Sequence, residues 1–76
     1  MIRVRYFASL RERMGRAEEL IAAEEVATVA DVWARVKEGK ALAASILVAV
    51  NMEYADLNCT VKDGDEVAFF PPVTGG

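Results

Sequence analysis

A single stripe of apolar residues at helical spacing sets the terms for this chain. Val29, Val32, Trp33 and Val36 fall at i, i+3, i+4 and i+7, the pattern of a helix with one buried face. Thr28-Val29-Ala30-Asp31 opens it as a capping box, with aspartate where glutamate is usual, and Gly39 is placed to end it. The spacing predicts a helix of about eleven residues. The other apolar runs are of strand length, so one helix has to cover one sheet. With 76 residues there is room for one domain and no second.

Ile2-Arg3-Val4-Arg5-Tyr6-Phe7 alternates with period two. Ile2, Val4 and Tyr6 therefore share one face of a strand, and Arg3, Arg5 and Phe7 share the other. Ser9 is positioned to cap a short helical turn running through Met14, and Gly15 to end it in the left-handed conformation. Residues 17–23 give a weaker strand around Leu20 and Ile21. Ile46-Leu47-Val48-Ala49-Val50 is apolar throughout, which predicts a strand covered on both faces or buried centrally. The chain then turns through polar residues to Thr60-Val61, and Lys62-Asp63-Gly64-Asp65 reads as a tight turn into a last strand, Glu66 to Phe70. Pro71-Pro72 stops that strand, since proline has no N–H to give a ladder. The order is strand, short helix, strand, long helix, strand, turn, strand. It predicts an α+β fold of the β-grasp type, a ubiquitin-like roll in which a mixed sheet packs against one main helix. Residues 1–70 make up this domain, and residues 71–76 a flexible C-terminal Gly-Gly tail.

Val, Ile, Leu and Phe supply 21 of the 76 residues, enough for a packed core. A net charge of -3 opposes binding to nucleic acid or to an anionic membrane. The charge is uneven: residues 1–16 carry five arginines and one glutamate, while the remainder carries four basic and eleven acidic groups. Such a dipole can orient an encounter with a partner. One cysteine, Cys59, cannot form an internal disulfide and fits a reducing, cytoplasmic compartment. The first residues alternate charged with apolar groups, so no signal peptide is expected. The longest apolar stretch, Ala41 to Val50, is interrupted by Ser45 and is too short for a membrane helix.

Chemistry has few carriers here. Histidine, the commonest general base, is absent. Cys59 has neither a cation nor a base beside it in sequence and reads as structural. The acidic pairs Glu18-Glu19, Glu24-Glu25 and Asp63-Gly64-Asp65-Glu66 lack the spacing of a metal site, and no segment is glycine-rich enough to cradle phosphate. The terminus remains. Pro71-Pro72-Val73-Thr74-Gly75-Gly76 has a stiff base and a tip without side chains. Six residues extend about 20 Å, enough to thread a narrow tunnel and place a carboxylate where no Cβ fits. That carboxylate is a poor electrophile until a partner adenylates it. Strand parity adds a surface: with Val67 and Phe69 facing the helix, Phe70 points outward, as does Phe7. If the first and last strands are neighbours, these two rings form an apolar docking patch beside the tail.

The run Asp63-Gly64-Asp65-Glu66-Val67-Ala68-Phe69-Phe70-Pro71-Pro72-Val73-Thr74-Gly75-Gly76 closely resembles the ending of the small, sulfur-carrier subunits of molybdopterin synthase. Tyr6-Phe7-Ala8 followed by Leu10-Arg11-Glu12, and Val48-Ala49-Val50-Asn51, are similar to the same family. The resemblance implies that Gly76 is the reacting residue, adenylated at the expense of ATP by a ubiquitin-activating-like enzyme. Its carboxylate then becomes a thiocarboxylate, with sulfur from a donor such as a desulfurase or rhodanese. The large synthase subunit uses that sulfur to build the dithiolene of molybdopterin from cyclic pyranopterin monophosphate. It further implies that Gly75, Thr74, Val73, Pro72 and Pro71 form the inserting segment. By the same resemblance Phe7 and Phe70 would lie in the contact with the large subunit, and Tyr54 would replace an aliphatic contact residue of the family. The chain itself is expected to hold no cofactor or metal and to be no enzyme alone. Related Gly-Gly carriers for thiamin, tRNA thiolation or cysteine synthesis, a protein-conjugating modifier, and an interaction module without terminal chemistry are the alternatives.

Overall fold

The computed structural model describes residues 1–37 and 46–71. In chain order the elements are β1 (Ile2–Tyr6), α1 (Ser9–Met14), β2 (Glu18–Ile21), α2 (Val29–Lys37), β3 (Leu47–Val50), β4 (Glu53–Ala55) and β5 (Glu66–Phe70). The strands form one mixed sheet in the order β2-β1-β5-β3-β4. β1 and β5 run parallel, with Arg3 opposite Glu66 and Tyr6 opposite Phe69, while the other pairings are antiparallel. This is the expected α+β architecture, a five-stranded mixed sheet on one main helix.

The core lies between the inner sheet face and α2. Ile2, Val4, Val29, Val32, Val67 and Phe69 are fully buried, with Tyr6 and Trp33 almost so. Phe69 is sandwiched: its ring stacks on Tyr6 at 6.4 Å and meets Trp33 edge-on at 4.8 Å. The capping box forms. Asp31 Oδ2 accepts from the backbone N–H groups of Ala27 and Thr28 at 2.9 and 3.0 Å, and Thr28 Oγ1 accepts from Asp31 N–H at 3.4 Å. Bonds to the ionised carboxylate hold Asp31 below the usual carboxylate range. Nine residues of α2 are described, and Gly39, the expected stop, lies outside the described residues.

Three expectations need correction. Ser9 does not cap α1; it is the first helical residue, and Ala8 occupies the cap position with no side-chain bond. The reason is that the chain leaves β1 straight into the turn: the carbonyls of Phe7 and Ala8 already accept from Leu10 and Arg11 N–H groups. Gly15 does end this helix, at φ +76, donating to the carbonyls of Arg11 and Glu12. Second, of the two placements expected for β3, the interior one holds, between β5 and β4, and cover on both faces does not. Val48 and Val50 face the core, whereas Leu47 is partly exposed on the opposite face. Third, the polar stretch after Val50 contains a strand. Asn51 and Met52, at φ +51 and +71, form a two-residue turn that pairs Val50 with Glu53, the backbone signature of a type I′ hairpin.

One polar network fastens that hairpin to the start of β5. Asn51 N–H donates to the Glu66 carbonyl at 2.8 Å, Glu66 N–H donates to Asn51 Oδ1 at 3.0 Å, and Asn51 Nδ2 donates to Asp65 Oδ1 at 3.0 Å. Asp65 is buried, and its Oδ2 also accepts from Lys62 N–H at 2.9 Å. These bonds to the charged form hold its carboxyl below the ordinary range. Gly64 makes the turn at φ +95 and donates to the Met1 carbonyl at 2.9 Å, while the Met1 α-ammonium pairs with Asp63.

Candidate functional site

Parity fixes what the outer sheet face displays. The core takes Ile2, Val4 and Tyr6 from β1 and Val67 and Phe69 from β5. The opposite face therefore carries Arg3 and Arg5 with Glu66, Ala68 and Phe70, extended by Leu47 and Ala49 of β3 and Tyr54 of β4. Phe7 follows β1 directly and its N–H donates to the Phe69 carbonyl at 3.1 Å, so it continues this face. Ala8, at φ +52, then turns the chain away.

The three sequence-predicted aromatic residues come together. Phe70 meets Phe7 edge to face at 6.0 Å on one side and Tyr54 at 5.9 Å on the other. Phe7 is 39% exposed and Tyr54 78%, with Phe70 half-buried between them. Edge-to-face contacts of this kind hold rings in a fixed relation. Because β5 is parallel to β1, both strands end at the same margin of the sheet, where Pro71 leaves the last strand. The aromatic row is thus built next to the base of the tail. Pro72, Val73, Thr74, Gly75 and Gly76 lie outside the described residues.

Four residues of this face were not anticipated as site residues. Arg5, Ala49, Met52 and Ala68 line an open hollow of about 300 Å³ together with the three rings. Ala49 and Ala68 are register partners, and small residues at outward positions of two strands are the signal that marks them in sequence. Met52 depends on the hairpin turn, which gives no glycine signal. Arg5 is drawn over Phe7, its guanidinium 5.2 Å from the ring centroid, and pairs with Glu66 at 3.9 Å. Arg3 likewise pairs with Glu18 at 3.9 Å, and Arg16 with Glu19 at 3.2 Å. Three of the five N-terminal arginines are therefore partnered by glutamates.

Cys59 sits elsewhere, with its carbonyl accepting from Val29 N–H at the start of α2 and its Sγ donating to the Thr60 carbonyl at 3.6 Å. It is half-buried against the core, in keeping with a structural thiol. Tyr6 spends its hydroxyl on Glu19 Oε2 at 2.6 Å. Burial first, and that bond and charge next, push its ionisation well above the normal phenol range. Among the described residues no helix is long and apolar enough to cross a membrane.

The ThiS family matches residues 4–76, nearly the whole length. The chain belongs to the ThiS family. This ThiS-family chain is 41% identical to the molybdopterin synthase sulfur carrier subunit of Escherichia coli, over the whole of both chains. Among solved structures it is similar to SAMP1 from Haloferax volcanii, with a TM-score of 0.83 and 30% identity, covering 99% of this chain and 98% of that one. It is also similar to a chain in the complex of subunits 1 and 2 of the molybdopterin-converting factor from Helicobacter pylori. There the TM-score is 0.67 and the identity 29%, covering 99% of this chain and 97% of that one.

Proposed function

We propose that this chain is the sulfur carrier of molybdopterin synthase in molybdenum cofactor biosynthesis, a subunit that donates sulfur and catalyses nothing alone. Gly76 is the reacting residue. Its carboxylate is adenylated by a ubiquitin-activating-like enzyme that spends the ATP, and sulfur from a desulfurase or rhodanese then replaces the activated oxygen. The thiocarboxylate is carried into the large subunit and transferred to cyclic pyranopterin monophosphate. Residues 1–70 are the docking body, and residues 71–76 the segment that enters the partner. Gly75 supplies clearance where a Cβ would collide with tunnel walls, and Pro71 and Pro72 stiffen the base. The chain holds no cofactor, and its setting is the cytoplasm, where the lone thiol stays reduced.

The observation that carries this reading is the aromatic row of Phe7, Phe70 and Tyr54 built beside the strand end from which the tail departs. It gives a partner something to grip at the place where the terminus has to be delivered. Membership of the ThiS family and the carrier subunits among the relatives support it. The test is chemical. Incubated with its activating enzyme, ATP and a sulfur donor, the protein should exchange one carboxyl oxygen of Gly76 for sulfur, and deletion of Gly76 should abolish this. Intact mass alone is ambiguous, because oxidation of a methionine adds nearly the same mass, so the alkylated protein should be fragmented to place the label. Label at Cys59 alone, with an unmodified C-terminal peptide, would overturn the reading.

A second reading is favoured by the likeness to SAMP1, a small archaeal modifier protein. The same Gly76 would then be joined to lysine side chains, and branched tryptic peptides carrying the tail in native cells would mark it.

A further inference from the structure

Resting on the carrier reading, we infer that the outer face is a socket, in which one apolar side chain of the large subunit seats on a floor made by Ala49 and Ala68. The register places these two alanines opposite each other on neighbouring strands. Around them rise Phe7 and Arg5 on one side, Phe70 at the tail end, and Tyr54 and Met52 on the hairpin side. Mid-strand positions ordinarily favour large or β-branched side chains. Methyl groups at these two positions leave a hollow of about 300 Å³ open to solvent. A hollow of this size is filled by water. Over a floor of methyls and ring walls such waters find few partners, and an apolar group that displaces them gains affinity.

The chemistry of the occupant follows from the one charged side chain that the described residues place on the rim. Arg5 already has Glu66 at 3.9 Å and lies over the Phe7 ring at 5.2 Å. An acidic side chain would have to compete with both, whereas an apolar one leaves the arrangement intact. One wall is built to adapt: Met52 is 91% exposed, so its flexible thioether stands free to close over what enters. The hollow is continuous with the Phe7–Phe70–Tyr54 row, and interface anchors cluster in desolvated pockets near the centre of a contact. Size complementarity at Ala49 and Ala68 then decides which partners fit, separately from the grip of the rings.

Calorimetric titration of the full-length chain with the large subunit tests this, using variants that alter the socket and spare the rings. Ala68→Leu fills the floor and should weaken binding about tenfold or more. Met52→Asp puts a charge on the rim at a solvent-exposed position with positive φ, which aspartate tolerates better than methionine, and should weaken binding about as much. Circular dichroism and thermal melting establish that each variant is folded; should Ala68→Leu fail to fold, Met52→Asp decides alone. A folded variant that binds within about twofold of wild type, inside the scatter of near-neutral interface substitutions, overturns the socket and leaves the carrier reading standing. Wild type that does not bind the large subunit overturns both. Sedimentation of wild type alone should show a monomer; a dimer dissociated by Met52→Asp would make a second copy the occupant and overturn the inference.

Discussion

The rings of Phe7 and Phe70 meet edge to face at 6.0 Å across the parallel pair β1 and β5, although 62 positions separate them in sequence. Each ring closes one side of the other, and Tyr54 extends the row from the far strand. Substituting Phe70→Ala removes the middle ring and leaves Phe7 and Tyr54 without a common neighbour. A central anchor of this kind contributes at least about 2 kcal/mol to an interface, equivalent to a weakening of about thirtyfold. The fold should survive, because the ring faces away from α2. Titration calorimetry measures the loss, and a melting temperature near that of wild type verifies the fold.

Trp33 belongs to the other face. It is buried to 5% exposure with its ring edge against Phe69. Its fluorescence emission should be blue-shifted in the folded protein and move to longer wavelength on denaturation. Trp33→Ala leaves a large cavity beside Phe69 and should cost about 3 to 5 kcal/mol, a large share of the stability of so small a domain. Urea denaturation followed by circular dichroism gives the magnitude.

Tyr6→Phe deletes the hydroxyl that Glu19 accepts from at 2.6 Å. Loss of a bond to a charged group should cost about 1 to 2 kcal/mol at neutral pH. The tyrosine pKa is raised in the folded state, so its contribution is present in full below the unfolded value of about 10 and declines as pH rises beyond it. Wild type should therefore lose stability above about pH 10 more steeply than Tyr6→Phe, as read from denaturation midpoints across that range.

Asp65 predicts the opposite limb. Its carboxyl is held down by Asn51 Nδ2 and Lys62 N–H, so its contribution is complete above the unfolded pKa of about 3.9 and is lost as pH falls below it. Asp65→Asn should be less stable than wild type at pH 7, and the gap should narrow in acid. Denaturation midpoints measured from neutral pH down through the carboxylate range test this. A gap that widens in acid would show that the network does not depend on the charge.

The elements that the sequence makes legible are those with a clean period. β1, β5 and α2 alternate or repeat as their burial requires, and the Thr28–Asp31 capping box declares the helix start. β4 is hidden because Asn51 turns the chain with Met52 where a glycine usually follows, so the short return strand Glu53–Ala55 reads as part of a longer polar turn. The uniform apolarity of Ile46 to Val50 is ambiguous: Val48 and Val50 face the core and Leu47 and Ala49 the outer face, and two-sided burial produces the same run of letters. Parity puts Phe7 and Phe70 on one face and resemblance adds Tyr54, and the three rings do adjoin; the pairing of Ala49 with Ala68 needed the register.

The placement of β5 between β1 and β3 has a consequence for folding. The strand that bears the tail follows the other four described strands in the chain and joins the two halves of the sheet, so closure waits for the most distant pairing among them. Until it pairs, Phe7, Phe70 and Tyr54 are scattered and no aromatic row exists. A chain whose last strand has not paired therefore carries Gly75 and Gly76 without an aromatic row beside the base of its tail.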